Sequence, residues 1–191
     1  MSASSHKMLI VSAPSGSGKT TLVRRAMEAI PELAFSISAT TRPLRGQEVD
    51  GVDYHFLDDA TFKSRVEAGD FLEWEEVYPG RFYGSLNQDV EAIWAKGQTV
   101  VFDIDVIGGR NLKSRFGDRA LAVFIQAPSL ESLAERLRKR GTEDDSGIQA
   151  RLNKAEEEMG YADAFDVRVV NEDLDTAAAE LIAAIRRFLQ D

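Results

Sequence analysis

Residues Met8–Leu22 read MLIVSAPSGSGKTTL. An apolar run enters a turn of Gly, Ser and Pro, reaches Gly18-Lys19-Thr20, and continues into a helical pattern. The stretch is close to G-x-x-x-x-G-K-[ST], with Ala13 in place of the first glycine. Glycines let backbone N–H groups converge on a phosphate without a Cβ in the way. The following helix adds the positive end of its dipole and free N–H donors. Ala13, Pro14, Ser15, Gly16, Ser17 and Gly18 are therefore the expected cradle for the phosphates of a nucleotide. Lys19 can reach the β- and γ-phosphates, and the Thr20 hydroxyl can ligate Mg²⁺. An ordinary Gly-rich turn from strand to helix needs no such lysine. The stretch implies nucleotide-dependent phosphoryl transfer or hydrolysis and leaves the acceptor open.

Working outward, short apolar runs alternate with helical patterns. Strands are expected at Met8–Ser12, Phe35–Ala39, Thr99–Ile104, Leu121–Gln126 and Val167–Val170. Helices are expected near Lys19–Ala29, Leu86–Lys96, Leu130–Arg140, Ile148–Ala162 and Thr176–Leu189. Near-continuous apolar strands separated by helices predict an α/β fold with a parallel sheet covered on both faces. Arg42–Tyr83 breaks the alternation and reads as an inserted mixed α/β subdomain. It has strand-like pieces at Val52–Phe56, Phe71–Val77 and Arg81–Tyr83 around a helix near Asp59–Gly69. Ser146-x-x-Gln149 has the capping-box pattern and predicts a helix start after the polar stretch Gly141–Ser146.

Composition narrows the chemistry. The 191 residues are 43% hydrophobic and 29% charged, which suits one globular domain. There is no cysteine, so disulfides, thiolate metal sites and a cysteine nucleophile are excluded. Two histidines exclude a multi-histidine metal site. The net charge of −9 disfavours a nucleic-acid coat. No apolar run approaches the ~20 residues needed to span a bilayer, and the short polar start does not read as a signal peptide. A cytoplasmic protein without membrane or nucleic-acid partners is expected; the sequence sets no oligomeric state.

Ser36–Glu48 reads SISATTRPLRGQE and follows the second expected strand. In open parallel sheets ligands gather at that carboxyl edge. Pro43 biases Arg42 toward an extended backbone, and Arg45 lies three residues on. Two arginines on a stiffened loop can clamp a dianionic phosphate; on this segment alone, two solvated surface arginines serve equally well.

The same run, together with GVDYHF at Gly51–Phe56, FLEW at Phe71–Trp74 and FYGS at Phe82–Ser85, strongly resembles guanylate kinase. Further landmarks are DID at Asp103–Asp105, RLRKRGTE at Arg136–Glu143 and VVNEDLD at Val169–Asp175. The resemblance covers about Lys7 to about Leu189. It implies a P-loop NTPase fold with a parallel sheet core flanked by helices. It also implies a single domain over 6–189, with a GMP-binding insertion at about 38–87 and a helical lid at about 136–152.

The resemblance implies roles position by position. Arg42, Arg45, Tyr54 and Tyr83 would hold the GMP phosphate, and Glu48 would support the arginines. Glu73 would pair with the guanine edge, with Ser38, Ser85 and Asp105 completing recognition of the nucleoside. Arg136, Arg140 and Arg151 would reach the ATP phosphates from the lid, and Asn171 would lie near the adenine. With Lys19, the expected catalytic set is Lys19, Arg42, Arg136, Arg140 and Arg151. Asp103 or Asp105 could be connected to Mg²⁺ through an ordered water. The chemistry agrees: a carboxylate accepts from guanine N1–H and its amine, and tyrosine hydroxyls donate to phosphate without adding charge. Two departures stand out. Ile107 replaces a usual Gln, and Val77–Arg81 is about one residue longer.

The implied reaction is ATP + GMP → ADP + GDP with Mg²⁺. Two other readings compete with it: a non-catalytic binding module of the same shape, and a ribose 1,5-bisphosphate phosphokinase. An intact Lys19-Thr20 disfavours the first, and the Glu73, Ser38 and Ser85 set disfavours the second.

Overall fold

A computed structural model describes residues 6–140 and 145–190, without the side chains of Arg140 and Asp145. The elements run β1 (Met8–Ser12), α1 (Lys19–Ala29), β2 (Leu33–Phe35), β3 (Ser38–Thr40), β4 (His55–Phe56) and α2 (Asp59–Glu67). Next come β5 (Phe71–Tyr78), β6 (Arg81–Leu86), α3 (Asn87–Ala95), β7 (Thr99–Asp103) and α4 (Val106–Phe116). The chain closes with β8 (Ala120–Gln126), α5 (Leu130–Arg140), α6 (Asp145–Met159), β9 (Val167–Val170) and α7 (Leu174–Gln190). The five-stranded core sheet has the order β2-β7-β1-β8-β9. A four-stranded sheet has the order β4-β3-β6-β5.

Two compact units are present. One comprises residues 6–8 and 33–102, the other residues 9–32 and 103–190. In the second unit β1, β8 and β9 supply the sheet, and β8 pairs with β9 in parallel. Every residue of β1 is buried, as its unbroken apolar run requires of a covered strand. Helix α7 buries Ala177, Ala178, Leu181 and Ile185, a stripe at helical spacing, and packs with α1. Helices α5 and α6 pack together through Leu133, Leu137, Ile148 and Ala155.

In the first unit β2 pairs with β7 in parallel, while β3–β6 and β6–β5 are antiparallel. Phe62 of α2 is fully buried between Ala39 and Leu86, and its ring stacks on Phe71 at 4.5 Å. Gly84 of β6 is required by crowding. A Cβ there would lie 2.8 Å from the Glu73 carbonyl oxygen and 2.7 Å from the Phe71 ring.

Three local expectations are corrected. The run Phe35–Ala39 is not one strand: β2 ends at Phe35 and β3 starts at Ser38, in a different sheet. The Ser36 N–H still donates to the Val101 carbonyl at 2.9 Å, so the chain leaves the core sheet just after it. Helix α4 was not expected, because Gly108-Gly109 weakens its pattern; Asp105 caps it by accepting from the Gly108 N–H at 2.8 Å. Helix α6 begins at Asp145, so Ser146 lies inside its first turn and not ahead of it.

Candidate active site

The loop after β1 is tightly organised. The Ser17 hydroxyl donates to the Pro14 carbonyl at 2.7 Å, and the Ser17 N–H points to the same oxygen. Gly18 has φ of 92°, a left-handed conformation open to glycine, and stands at the N-cap of α1 without a side-chain cap. The first turn of α1 holds no acidic residue, which suits an anion at its N-terminus. Lys19 forms an ion pair with Asp103. Thr20 is exposed in that same turn. Leu133 and Leu137 of α5 approach Gly16 closely enough that a Cβ there would meet them at 3.1 Å.

The expected lid cations are placed unequally. Arg151 of α6 reaches the loop itself, donating from Nη1 to the Ser15 hydroxyl at 2.5 Å. Arg136 of α5 donates from Nη2 to the Asn171 carbonyl at 2.7 Å. Arg140 ends α5, and its side chain lies outside the described residues, as do 141–144 of the connection. Asn171 is buried, and its Nδ2 donates to the Ser17 carbonyl at 2.7 Å. Asp105 spends Oδ1 on the cap of α4, and its carbonyl accepts from the Ser12 hydroxyl at 3.1 Å.

Within the first unit, strand register gathers the expected acceptor residues. Ser38 of β3 stands opposite Ser85 of β6, which stands opposite Glu73 of β5. The three form a row across three strands, with Thr40, Tyr83 and Glu75 as the next row on the same face. The Ser85 hydroxyl donates to Glu73 Oε1 at 2.7 Å. Arg42 is 6% exposed. Its Nη1 and Nη2 donate to the two Glu48 oxygens at 2.7 and 2.6 Å, and Nη1 also donates to the Pro43 carbonyl at 3.0 Å. Glu48 also accepts from the Arg45 N–H at 2.8 Å. The guanidinium lies 4.6 Å above the Tyr54 ring, and Tyr54 and Tyr83 meet edge to face at 6.3 Å. The hydrogen bonds from Arg42 hold the Glu48 carboxyl down at about 2, and Glu48 in return raises Arg42 further above its ordinary value. Arg45 itself is exposed.

Known proteins resemble this chain over nearly its whole length. The guanylate kinase family profile matches residues 5–188. A guanylate kinase of Salinibacter ruber is 52% identical, over 95% of this chain and 96% of its own length. One from Bacteroides thetaiotaomicron is 51% identical, over 96% of this chain and 90% of its own. The crystal structure of guanylate kinase from Anaplasma phagocytophilum superposes with a TM-score of 0.79 at 29% identity, covering 97% of this chain and 87% of that one. The chain belongs to the guanylate kinase family. Guanylate kinases are ATP:GMP phosphotransferases, and this chain is an enzyme of that class.

Three features of this guanylate kinase escape a reading of residues alone. One is the pairing of Lys19 with Asp103. Another is the inward turn of Asn171 onto the loop. The third is Glu158 of α6, whose side chain is only 14% exposed and lies 4.0 Å from the Lys154 ammonium. Burial pushes the Glu158 carboxyl up to about 7, against the pull of Lys154 and Lys19 and with the push of Asp105 and Glu157. In the sequence Glu158 closes the run Glu156–Glu158, and nothing there separates it from its solvated neighbours.

Proposed function

We propose that this guanylate kinase moves the γ-phosphoryl group of ATP to the phosphate of GMP with two residue sets, each built within one compact unit. The observation that carries the acceptor assignment is the row Ser38–Ser85–Glu73. The Ser85 hydroxyl fixes one Glu73 oxygen, which orients the carboxylate to accept from N1–H and the exocyclic amine of guanine. Arg42 has five N–H donors, and its bonds to Glu48 and Pro43 use three. The Nε–H and one Nη2–H remain, side by side on one edge, which is a bidentate match for a phosphate. Arg45, Tyr54 and Tyr83 add donors from the same region of sequence, and 38–87 is the GMP-binding segment in this scheme.

On the donor side, Ala13–Thr20 would wrap the ATP phosphates with backbone N–H groups, and Lys19 would offset charge on the transferring group. The hydroxyl of Thr20 and the carboxylate of Asp103 are hard oxygen donors, which suits Mg²⁺ that keeps most of its waters. Among the described residues no cluster of three or more His, Cys, Asp or Glu could hold a metal by itself. This fits a cation that arrives with the nucleotide, where it neutralises charge on the phosphates. Segment 136–152 would act as the lid: Arg136, Arg140 and Arg151 offset the repulsion of two polyanions, and closure keeps water from the transferred group. The acceptor is the GMP phosphate oxygen, so no protein nucleophile is needed, and catalysis is positioning plus electrostatic stabilisation. Among the described residues no helix is long and apolar enough to cross a membrane; the cytoplasm, where both nucleotides are available, is the compartment this chemistry suits.

A coupled ADP-release assay with GMP, AMP and ribose 1,5-bisphosphate tests the assignment. GMP should be the preferred acceptor by ~10⁴-fold or more over AMP, because adenine sets a bare N1 lone pair against the Glu73 carboxylate where guanine offers donors. Glu73→Gln should cut GMP turnover and narrow that ratio. A ratio unchanged by the substitution removes Glu73 from base recognition, and turnover of the sugar phosphate alone overturns the acceptor.

A further inference from the structure

Asn171, the first residue after β9, is held on three sides. Its N–H donates to the Gln126 carbonyl at 2.8 Å, and its carbonyl accepts from Arg136 Nη2 at 2.7 Å. Its side-chain Nδ2 donates to the Ser17 carbonyl at 2.7 Å, and the residue is 5% exposed. The loop is fitted closely around it: a Cβ on Gly18 would fall 2.3 Å from Nδ2.

The carbonyl that Asn171 holds belongs to the peptide unit joining Ser17 to Gly18. That unit is planar and trans, so its C=O and its N–H point in opposite directions. Gly18 has φ of 92°, and glycine tolerates a peptide flip that other residues resist. One orientation aims the Gly18 N–H toward an anion at the N-terminus of α1. The flipped orientation aims the negative Ser17 oxygen there instead. The first gives the Asn171 Nδ2–H the acceptor it has here, and only the first favours phosphate.

We propose that Asn171 is a positioning residue for phosphoryl transfer, which locks the Ser17–Gly18 peptide with its N–H facing the phosphates and anchors it to β8 and α5. This rests on Ala13–Thr20 being the ATP phosphate site. It differs from a contact to adenine in one measurable respect: a brace on the loop matters for any polyphosphate, with or without a base.

The test is calorimetric titration of the wild type, Asn171→Ala, Asn171→Asp and Lys19→Met with magnesium tripolyphosphate, ATP and GMP. The ¹H–¹⁵N resonance of Gly18 is followed alongside. Loss of one hydrogen bond that selects the loop conformer should weaken tripolyphosphate and ATP by a common factor of about ten. GMP affinity should hold, and the tripolyphosphate-induced shift of the Gly18 amide should shrink. Asn171→Asp keeps the volume of the side chain but sets a carboxylate against a carbonyl, so it should weaken both ligands further; it also carries the test if the alanine variant does not fold. Tripolyphosphate binding at wild-type strength in either folded variant overturns the brace, and a loss confined to ATP assigns Asn171 to the base. If Lys19→Met binds tripolyphosphate as well as the wild type and the Gly18 amide does not move, the phosphate-loop assignment itself has failed, and the brace with it.

Discussion

The Arg42–Glu48 pair shows how a cation can be kept inside a fold and still serve a ligand. Glu48 takes one edge of the guanidinium through Nη1 and Nη2, the Pro43 carbonyl takes a further Nη1–H, and the Nε–Nη2 edge is left. Removing the carboxylate strands a nearly buried charge, so Glu48→Gln should destabilise the chain by ~1–3 kcal/mol at neutral pH and raise the KM for GMP. The pH dependence has a definite sign. The folded carboxyl, at about 2, lies below its ordinary 4.5. Its contribution is complete above about 4.5 and is lost as pH falls toward 2. Urea midpoints of wild type and variant should therefore converge at acid pH; a gap of constant width would refute the linkage. Glu158 has the opposite sign, because its folded value of about 7 lies above 4.5. Its contribution is present below about pH 4.5 and is lost as pH rises through 7. Glu158→Gln should match wild type near pH 4.5 and exceed its stability at pH 8, by an amount on the order of 1–3 kcal/mol. At Lys19 the expected outcome is kinetic: Lys19→Met should lose at least ~10²-fold in kcat with GMP affinity retained. Near-normal turnover in single-turnover assays would rule the lysine out.

Among the elements, helix α4 is held against β1 by a glycine. Alanine at Gly109 would gain about 1 kcal/mol of helix propensity, yet its Cβ would lie 2.8 Å from the Ser12 hydroxyl and 3.3 Å from Ile10. Both neighbours are fully buried. Crowding outweighs propensity, so Gly109→Ala should lower stability by ~1–3 kcal/mol, read as a shifted urea midpoint with unchanged slope. In the acceptor sheet, Gly84→Ala would press on the Glu73 backbone and spread β5 from β6. It should cost GMP affinity while tripolyphosphate binding holds; loss of both would mean general unfolding.

These two glycines also mark what the sequence hides. Helices α1 and α5 fall at their expected bounds, because an unbroken amphipathic stripe leaves few other choices. Ser129 caps α5, accepting from the Ser132 N–H at 3.1 Å. Helix α4 is concealed by the glycines that let it pack closely. The break between β2 and β3 is concealed because Ser36 and Ile37 continue an apolar alternation while the chain changes sheets. Residue types name Lys19 and Arg42 as candidates, and the family resemblance adds Glu73 and sets Glu48 beside the arginines; the pairs Lys19–Asp103 and Glu73–Ser85 depend on which strand ends and which register bring them close. Asn171 is legible as a polar residue after a strand, whereas the direction of its amide is a tertiary fact.

For the whole molecule, a net charge of −9 must be reconciled with two anionic substrates. Average repulsion slows their approach, and local cations must reverse the sign of the field where binding happens. Binding to the native state alone raises the unfolding temperature by mass action. ADP and GMP should each raise Tm in a thermal scan. Lys19→Met should remove most of the ADP shift and spare the GMP shift, and Glu73→Gln should do the reverse. Substitutions that diminish both shifts equally would show that the donor and acceptor sets are not separable.

The ion pair between Lys19 and Asp103 bears on how salt acts on this enzyme. A lysine that already has a carboxylate beside it holds no condensed solvent ion that an incoming phosphate could release. ATP then exchanges one fixed counter-ion for another. Across ionic strengths, nucleotide affinity should fall less steeply than the number of cations around the loop would dictate. Asp103→Asn should steepen that fall, since its loss would leave the ammonium to the bulk electrolyte.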